Sequence, residues 1–425
     1  MLDRGPRLFV ERIDIEGNTA TLDRVVRRQF RIVEGDPFNA TEIRASARRI
    51  RALGFFADAS VKTREGSGPE KVIIDVKVVE KPTGSLNFGA AYSTAAGIGG
   101  TIEYSEKNFL GRGQSLSFKV NAGTGNQTYS FDFSEPSFLY QDMSLSFGTA
   151  YRETQQQYSD YNTTSMQIRP QVSFPISEKA RLGLRYFYSA SELSAISNSG
   201  GSIVNLEKNL GRVSQSGVGY TLSYDTRRTG LDPNAGILLR LGQDLSGLGG
   251  DTTRIKTIGR LSGEMKTLGE EVTLISTIEG GILSYSRGQS RVTDRFSMGS
   301  NVIRGFNPSG IGPREYDLEA GVNDALGGDK YAAMRLEALF PFGIPEEYGI
   351  SGGIYYDIGN LWSLDYRASD YPLKYELGSW RQSVGLSLFW KTPIGPFRFN
   401  FSRVIAKQKL DVVDEFELTL ATNRF

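Results

Sequence analysis

Asp142-Met143-Ser144-Leu145-Ser146-Phe147 decides the fold, because its apolar residues fall on every second position with serines between them. A buried helix face needs apolar residues three and four apart, whereas a strand sends successive side chains to opposite faces. The segment is therefore a strand with one apolar and one polar face. Working outward, the same rhythm sets Phe131 and Phe133 between Ser130, Asp132 and Ser134. It also sets Met166, Ile168 and Val172 between Gln167, Arg169 and Gln171. Segments of this kind, divided by Gly, Asn, Asp or Pro turns, fill 83–425; helical templates fit almost nowhere there, and helices after residue 80 would count against the reading.

Sixteen such segments follow one another, from 83–94 and 98–107 at the start to 396–404 and 414–424 at the end. The longest connections, 192–212, 285–329 and 361–379, all fall on one side of the resulting sheet, while the other side has short turns such as Lys391 to Pro396. Outer-membrane barrels have this asymmetry, and an even strand number closes an antiparallel sheet without a free edge. A soluble sandwich would charge its outward face. Instead Leu116, Phe118 and Val120, then Leu182, Leu184 and Tyr186, then Val384, Leu386, Leu388 and Trp390 keep one face apolar. The expected fold is mainly β: a 16-stranded antiparallel transmembrane β-barrel over 83–425, set in a lipid bilayer, with a long loop at 285–329.

Residues 1–82 read differently. Leu8 to Ile15 alternates, and Gly17-Asn18 turns the chain. Thr19 or Thr21 can cap a helix running to Phe30. Asp36-Pro37-Phe38-Asn39 opens a second helix to about Leu53, with Ile43, Ala47 and Ile50 as its buried stripe and Gly54 as its stop. Strands over 57–63 and 71–80, joined by Gly66-Ser67-Gly68-Pro69, complete a β-α-α-β-β domain.

The composition excludes much. Across 425 residues the formal charge is +1, so a general nucleic-acid binder is not expected. There is no Cys and no His, which removes disulfides, thiolate zinc sites, the thiol nucleophile and the commonest general base. No enzyme, cofactor or metal is expected. Gly349-Ile350-Ser351-Gly352-Gly353 matches a G-x-S-x-G pattern but sits at a hairpin, not at a strand-to-helix elbow. The first residues carry no apolar signal core, so the chain is expected to be a mature segment with a new start.

Arg304 draws attention within the long loop. On 331–340, Ala332, Met334, Leu336, Ala338 and Phe340 form the apolar set, so Arg335 and Glu337 face the lumen. On 350–360, Ile350, Ile354, Tyr356 and Ile358 are apolar, so Asp357 faces inward too. If the loop folds into the barrel, Arg304 can bridge Glu337 and Asp357 with its forked guanidinium, and Gly305 lets the backbone turn beside it. The alternative is a solvated charge on an outer loop.

Asn301-Val302-Ile303-Arg304-Gly305-Phe306 resembles the lumen-loop motif of BamA-like outer-membrane insertases. Tyr355-Tyr356-Asp357-Ile358-Gly359-Asn360 and Thr392-Pro393-Ile394-Gly395-Pro396-Phe397 are similar to later strands of that family, and the small domain resembles its periplasmic POTRA module. The resemblance covers nearly the whole chain. It implies a factor that folds and inserts other barrel proteins into a Gram-negative outer membrane. Its partners would be unfolded outer-membrane barrel clients and accessory lipoproteins, and residues 1–82 would be the last of several POTRA domains. It implies the Arg304 pairing, with Ile303 and Phe306 beside it, and a C-terminal insertion signal at Phe425, which physics makes an interfacial anchor.

Leu86, Phe88 and Tyr92 are the sizeable outward groups of the first strand. Beside Phe416, Leu418 and Leu420 of the last strand they mark a lateral seam. Many relatives have Gly where Ala421 stands, which leaves a bend of the last strand open. Arg44, Arg48 and Arg51 share one helix face, either solvated or a docking surface. A polypeptide-exporting relative and a plain porin are the rival readings.

Overall fold

The computed structural model describes residues 7–94, 97–155, 161–194, 200–227, 235–269, 271–366, 370–393 and 395–421. It divides into two compact units: Met1–Leu86 with Glu103–Phe118 and Asp132–Pro136, and the remainder.

In the first unit, β1 (Phe9–Glu16), α1 (Asp23–Arg27), α2 (Ala40–Ala52), β2 (Phe56–Glu65) and β3 (Lys71–Glu80) follow in that order. The sheet order is β1-β3-β2, with β1 parallel and β2 antiparallel to the central strand. Alternation dictates which residues point at the helices, and Val10, Ile13, Ile74 and Val76 meet Val25, Val26, Ile43 and Ile50 in one core. Asn39 caps α2, its side-chain oxygen accepting from Thr41 N at 2.9 Å.

The first helix departs from expectation. It is five residues long, and neither Thr19 nor Thr21 caps it. The Glu80 carboxylate instead accepts from Thr19 Oγ1 at 2.7 Å, Ala20 N at 2.9 Å and Thr21 N at 2.6 Å. Partial burial opposes the charge, yet these bonds hold the Glu80 carboxyl down from 4.5 to about 2. The loop thus freed packs on 108–113: Asn108 Nδ2 donates to Thr21 Oγ1 at 2.8 Å and Leu22 N to the Gly111 carbonyl at 2.8 Å. Gly111 has φ +68°, and a Cβ there would lie 1.9 Å from the Ala20 oxygen, so only glycine fits.

Among the described residues, sixteen strands close a barrel in which the last, Phe416–Ala421, returns to the first, β4 (Gly84–Ser93). The strands follow the alternating segments closely; Lys330–Pro341 has the expected bounds and Ala235–Gly250 runs a few residues beyond. The register sets Ile354 opposite Leu386, both exposed on the apolar face. On the other face Tyr355 lies opposite Gly385, whose missing side chain leaves room for the Tyr355 ring. No helix among the described residues is long and apolar enough to cross a membrane; the crossing elements are strands.

One expectation needs correction. Helices do occur after residue 80: α3 (Ser202–Asn209), and single turns at Phe138–Tyr140 and Glu346–Tyr348. All three lie in connections and replace no strand. The amphipathic spacing of Ile203, Val204 and Glu207, all buried, forms α3. Its neighbours are a small sheet of Arg314–Asp317, Val322–Ala325 and Leu373–Lys374, built from the two other long connections.

Candidate functional site: the lumen loop and the seam

The long connection enters the barrel because it carries an apolar foot. Met298, Ile303, Phe306 and Ile311 pack with Ala333 and Leu361 of the wall, and Ile303 and Phe306 are wholly buried. Val302 N and Ile303 N both donate to the Gly299 carbonyl, tightening the turn before the arginine. Ile303 reaches the wall at Gly359, where a Cβ would lie 2.6 Å from Ile303 Cδ1. Two residues later Gly305 takes φ +92° against Ser402 and Val404.

Arg304 is thereby aimed at the wall. Its Nε and Nη2 donate to the two oxygens of Asp357, each at 2.7 Å, and its backbone N donates to Asp357 Oδ2 at 3.0 Å. Nη1 reaches Glu337 Oε1 at 2.5 Å, and the guanidinium carbon sits 3.5 Å from the centre of the Tyr355 ring. Asp357 has no solvent exposure. Such a pair is held by forked geometry, and removing one partner would strand a buried charge. Arg398 joins Glu337 at 3.2 Å, and the Tyr355 hydroxyl shares a hydrogen bond with Ser402 at 2.6 Å. Alternation alone points to neither, since each needs the loop's depth to be known.

The structure therefore brings Arg304, Glu337 and Asp357 together, with Ile303, Gly305 and Phe306 as their support. Beside them a polar cavity of about 320 Å³ extends to Glu417 and Thr419 of the last strand, so the loop leaves open space in front of that strand. At the seam, Thr419 pairs with Ser93, Leu420 with Tyr92 and Ala421 with Ala91; Thr94 N donates to the Leu418 carbonyl at 3.1 Å. Phe416 packs on Phe401 of its other neighbour, ring centres 5.3 Å apart. Leu86 and Phe88 are exposed and fall outside the described seam pairs. Phe425, and the course of the chain after Ala421, lie outside the described residues. In the small domain Arg44, Arg48 and Arg51 are exposed, but Arg51 Nε donates to the Ala59 carbonyl at 2.9 Å, tying its helix to β2.

Residues 108–423 match the Omp85 superfamily domain. The chain belongs to the Omp85 superfamily. Residues 8–81 of this Omp85 protein match the POTRA model, described as a surface antigen variable number repeat. It is 27% identical over 406 residues to the outer membrane protein assembly factor BamA of Neorickettsia risticii, covering 95% of this chain and 53% of that protein. It is 23% identical over 376 residues to the sorting and assembly machinery component 50 homolog of Xenopus tropicalis, covering 84% and 78%. The crystal structure of BamA from Haemophilus ducreyi lacking POTRA domains 1–3 superposes with a TM-score of 0.81 at 22% identity, covering 99% and 85%. The chain spans about half the length of the BamA relatives it matches. This Omp85 protein is an outer-membrane protein with its POTRA domain in the periplasm.

Proposed function

We propose that this protein folds and inserts other β-barrel proteins into the outer membrane, without covalent chemistry, by offering a client strand the seam between its first and last strands. The observation that carries this is the state of the first strand: eight of the ten residues of β4 are exposed, at positions facing both ways across the sheet. A strand held chiefly by its ladder can exchange partners edge for edge. A client strand taking that edge satisfies its backbone N–H and C=O groups before it meets hydrocarbon, where each unpaired group costs several kcal/mol. The names of the relatives, assembly factor and assembly machinery component, agree with this work. The lumen loop, fixed by Arg304 to Glu337 and Asp357, braces the strands Lys330–Pro341 and Ile350–Trp362, a few places from the last strand, while the seam moves.

The partners in this reading are unfolded barrel clients, the bilayer and accessory lipoproteins. A docking role for Arg44 and Arg48 is part of the same proposal. The test is reconstitution of the full chain in liposomes with an unfolded barrel client. Folded client is expected to accumulate faster than in protein-free vesicles. Equal rates would reject the function, and steady passage of small solutes with no client folding would favour a porin.

A further inference from the structure

The segment joining the strand Gly395–Ala406 to the last strand is fastened on two sides. On one side it runs as a short ladder with the loop that carries Arg304. Asp414 N donates to the Gly305 carbonyl, Asn307 N to the Val412 carbonyl and Val412 N to the Gly310 carbonyl, each at 3.0 Å, with Phe306 opposite Val413. On the other side Asp411 accepts from Arg381 Nε and Nη2, both at 2.9 Å, and neither side chain has any solvent exposure. Arg381 Nη1 is held in turn by the Ser379 carbonyl at 2.8 Å. Leu410 N donates to the Tyr375 hydroxyl at 3.0 Å, closing the turn before Asp411.

These bonds create a short mechanical path. Arg304 is fixed to the wall, Gly305 follows it directly, Gly305 holds Asp414, and Phe416 begins the last strand two residues later. The outer end of the last strand is thus tied to the lumen loop and to the strand Arg381–Thr392, independently of its pairing with β4.

Resting on the seam reading above, we propose that Arg381 and Asp411 are positioning residues for the seam. They hold the outer end of the last strand against the lumen loop, so the seam cannot widen at that end until this fastening releases. The buried bidentate pair is the lock. The backbone ladder is the bar it secures, because Asp411 directly precedes Val412. Neither Arg381 nor Asp411 takes part in the Arg304 cluster or in the described seam pairs.

The experiment uses the full chain in liposomes carrying Ser93→Cys and Thr419→Cys. These residues are directly opposed, and facing residues of an antiparallel pair lie within disulfide reach. The readout is the rate of oxidative cross-linking. Asp411→Asn should slow it several-fold, Asp411→Glu should restore it in part, and Val412→Pro, which removes the amide bonded to Gly310, should slow it by itself. A control pair, Leu222→Cys with Leu241→Cys, lies opposed on strands away from the seam and should cross-link at the parent rate in every variant. Unchanged seam cross-linking in Asp411→Asn and Val412→Pro would overturn the proposal, as would equal slowing at the control pair, which would mark general loosening. Client insertion separates the two readings. Undiminished insertion with the seam disulfide formed rejects the seam itself, whatever the cross-linking rates of the Asp411 variants.

Discussion

The strands β4 and Ile350–Trp362 are built on the same alternation and end up in opposite conditions. Eight of ten residues in β4 are exposed, whereas six of thirteen in Ile350–Trp362 are buried and a single one is exposed. The difference is the inserted loop. Its apolar foot and Arg304 cover the lumen side of Ile350–Trp362, whereas most of β4 is exposed. Backbone ladders make a barrel, but side-chain packing from within decides which part of the wall is rigid.

The sharpest way to break the comparison is at the seam. Joining Ser93→Cys to Thr419→Cys should reduce client insertion to the level of protein-free vesicles, with insertion recovering on reduction; continued insertion would mean that the exposed strand is not the working edge. On the braced side, Arg304→Ala strands the Asp357 carboxylate and should cost about 3–5 kcal/mol. The check is a lowered temperature at which the folded barrel loses its heat-modified mobility on gels, and an unchanged temperature would deny the pairing its structural weight.

A finer cut is Gly359→Ala, which pushes into Ile303 and should cost about 1–3 kcal/mol by overpacking. Pairing it with Ile303→Val should recover part of that loss, and simple additivity would show that the two do not share the contact. The smallest effect lies in the small domain. Glu80 has its carboxyl lowered on folding, so its contribution is present above about pH 4.5 and fades as pH falls toward 2. Because the group remains in contact with solvent, the effect should stay under about 1 kcal/mol. Protection of the Ala20 and Thr21 amides from exchange, taken relative to the intrinsic rate at each pH, should fall over that interval in the intact chain, and Glu80→Gln should make that protection independent of pH there.

The barrel was legible because a transmembrane strand must write its two environments into alternate residues, as at Met143, Leu145 and Phe147. The partners of Arg304 were legible for the same reason: parity alone puts Glu337 and Asp357 on the lumen side. What parity cannot give is depth along the barrel, so Tyr355, Arg398 and the Asp411 fastening were out of reach. The helix α3 is not legible, because its eight residues sit inside a connection and two turns of amphipathic spacing do not stand out among loop residues. The start of the first helix departs from local capping rules because the competing acceptor, Glu80, lies about sixty residues further along the chain.

The long outer connections are stitched to one another rather than left as separate tethers. Glu207 of α3 grips Arg295 at 2.6 Å, Asp324 accepts from Gly201 N at 2.7 Å, and Glu315 takes the amides of Ser202 and Ile203. Anything approaching from outside the cell meets a composite relief made of several distant stretches of sequence. An antibody or phage that recognises the folded protein there would read that relief as a conformational epitope, and isolated peptides copied from any one stretch would make poor mimics of it.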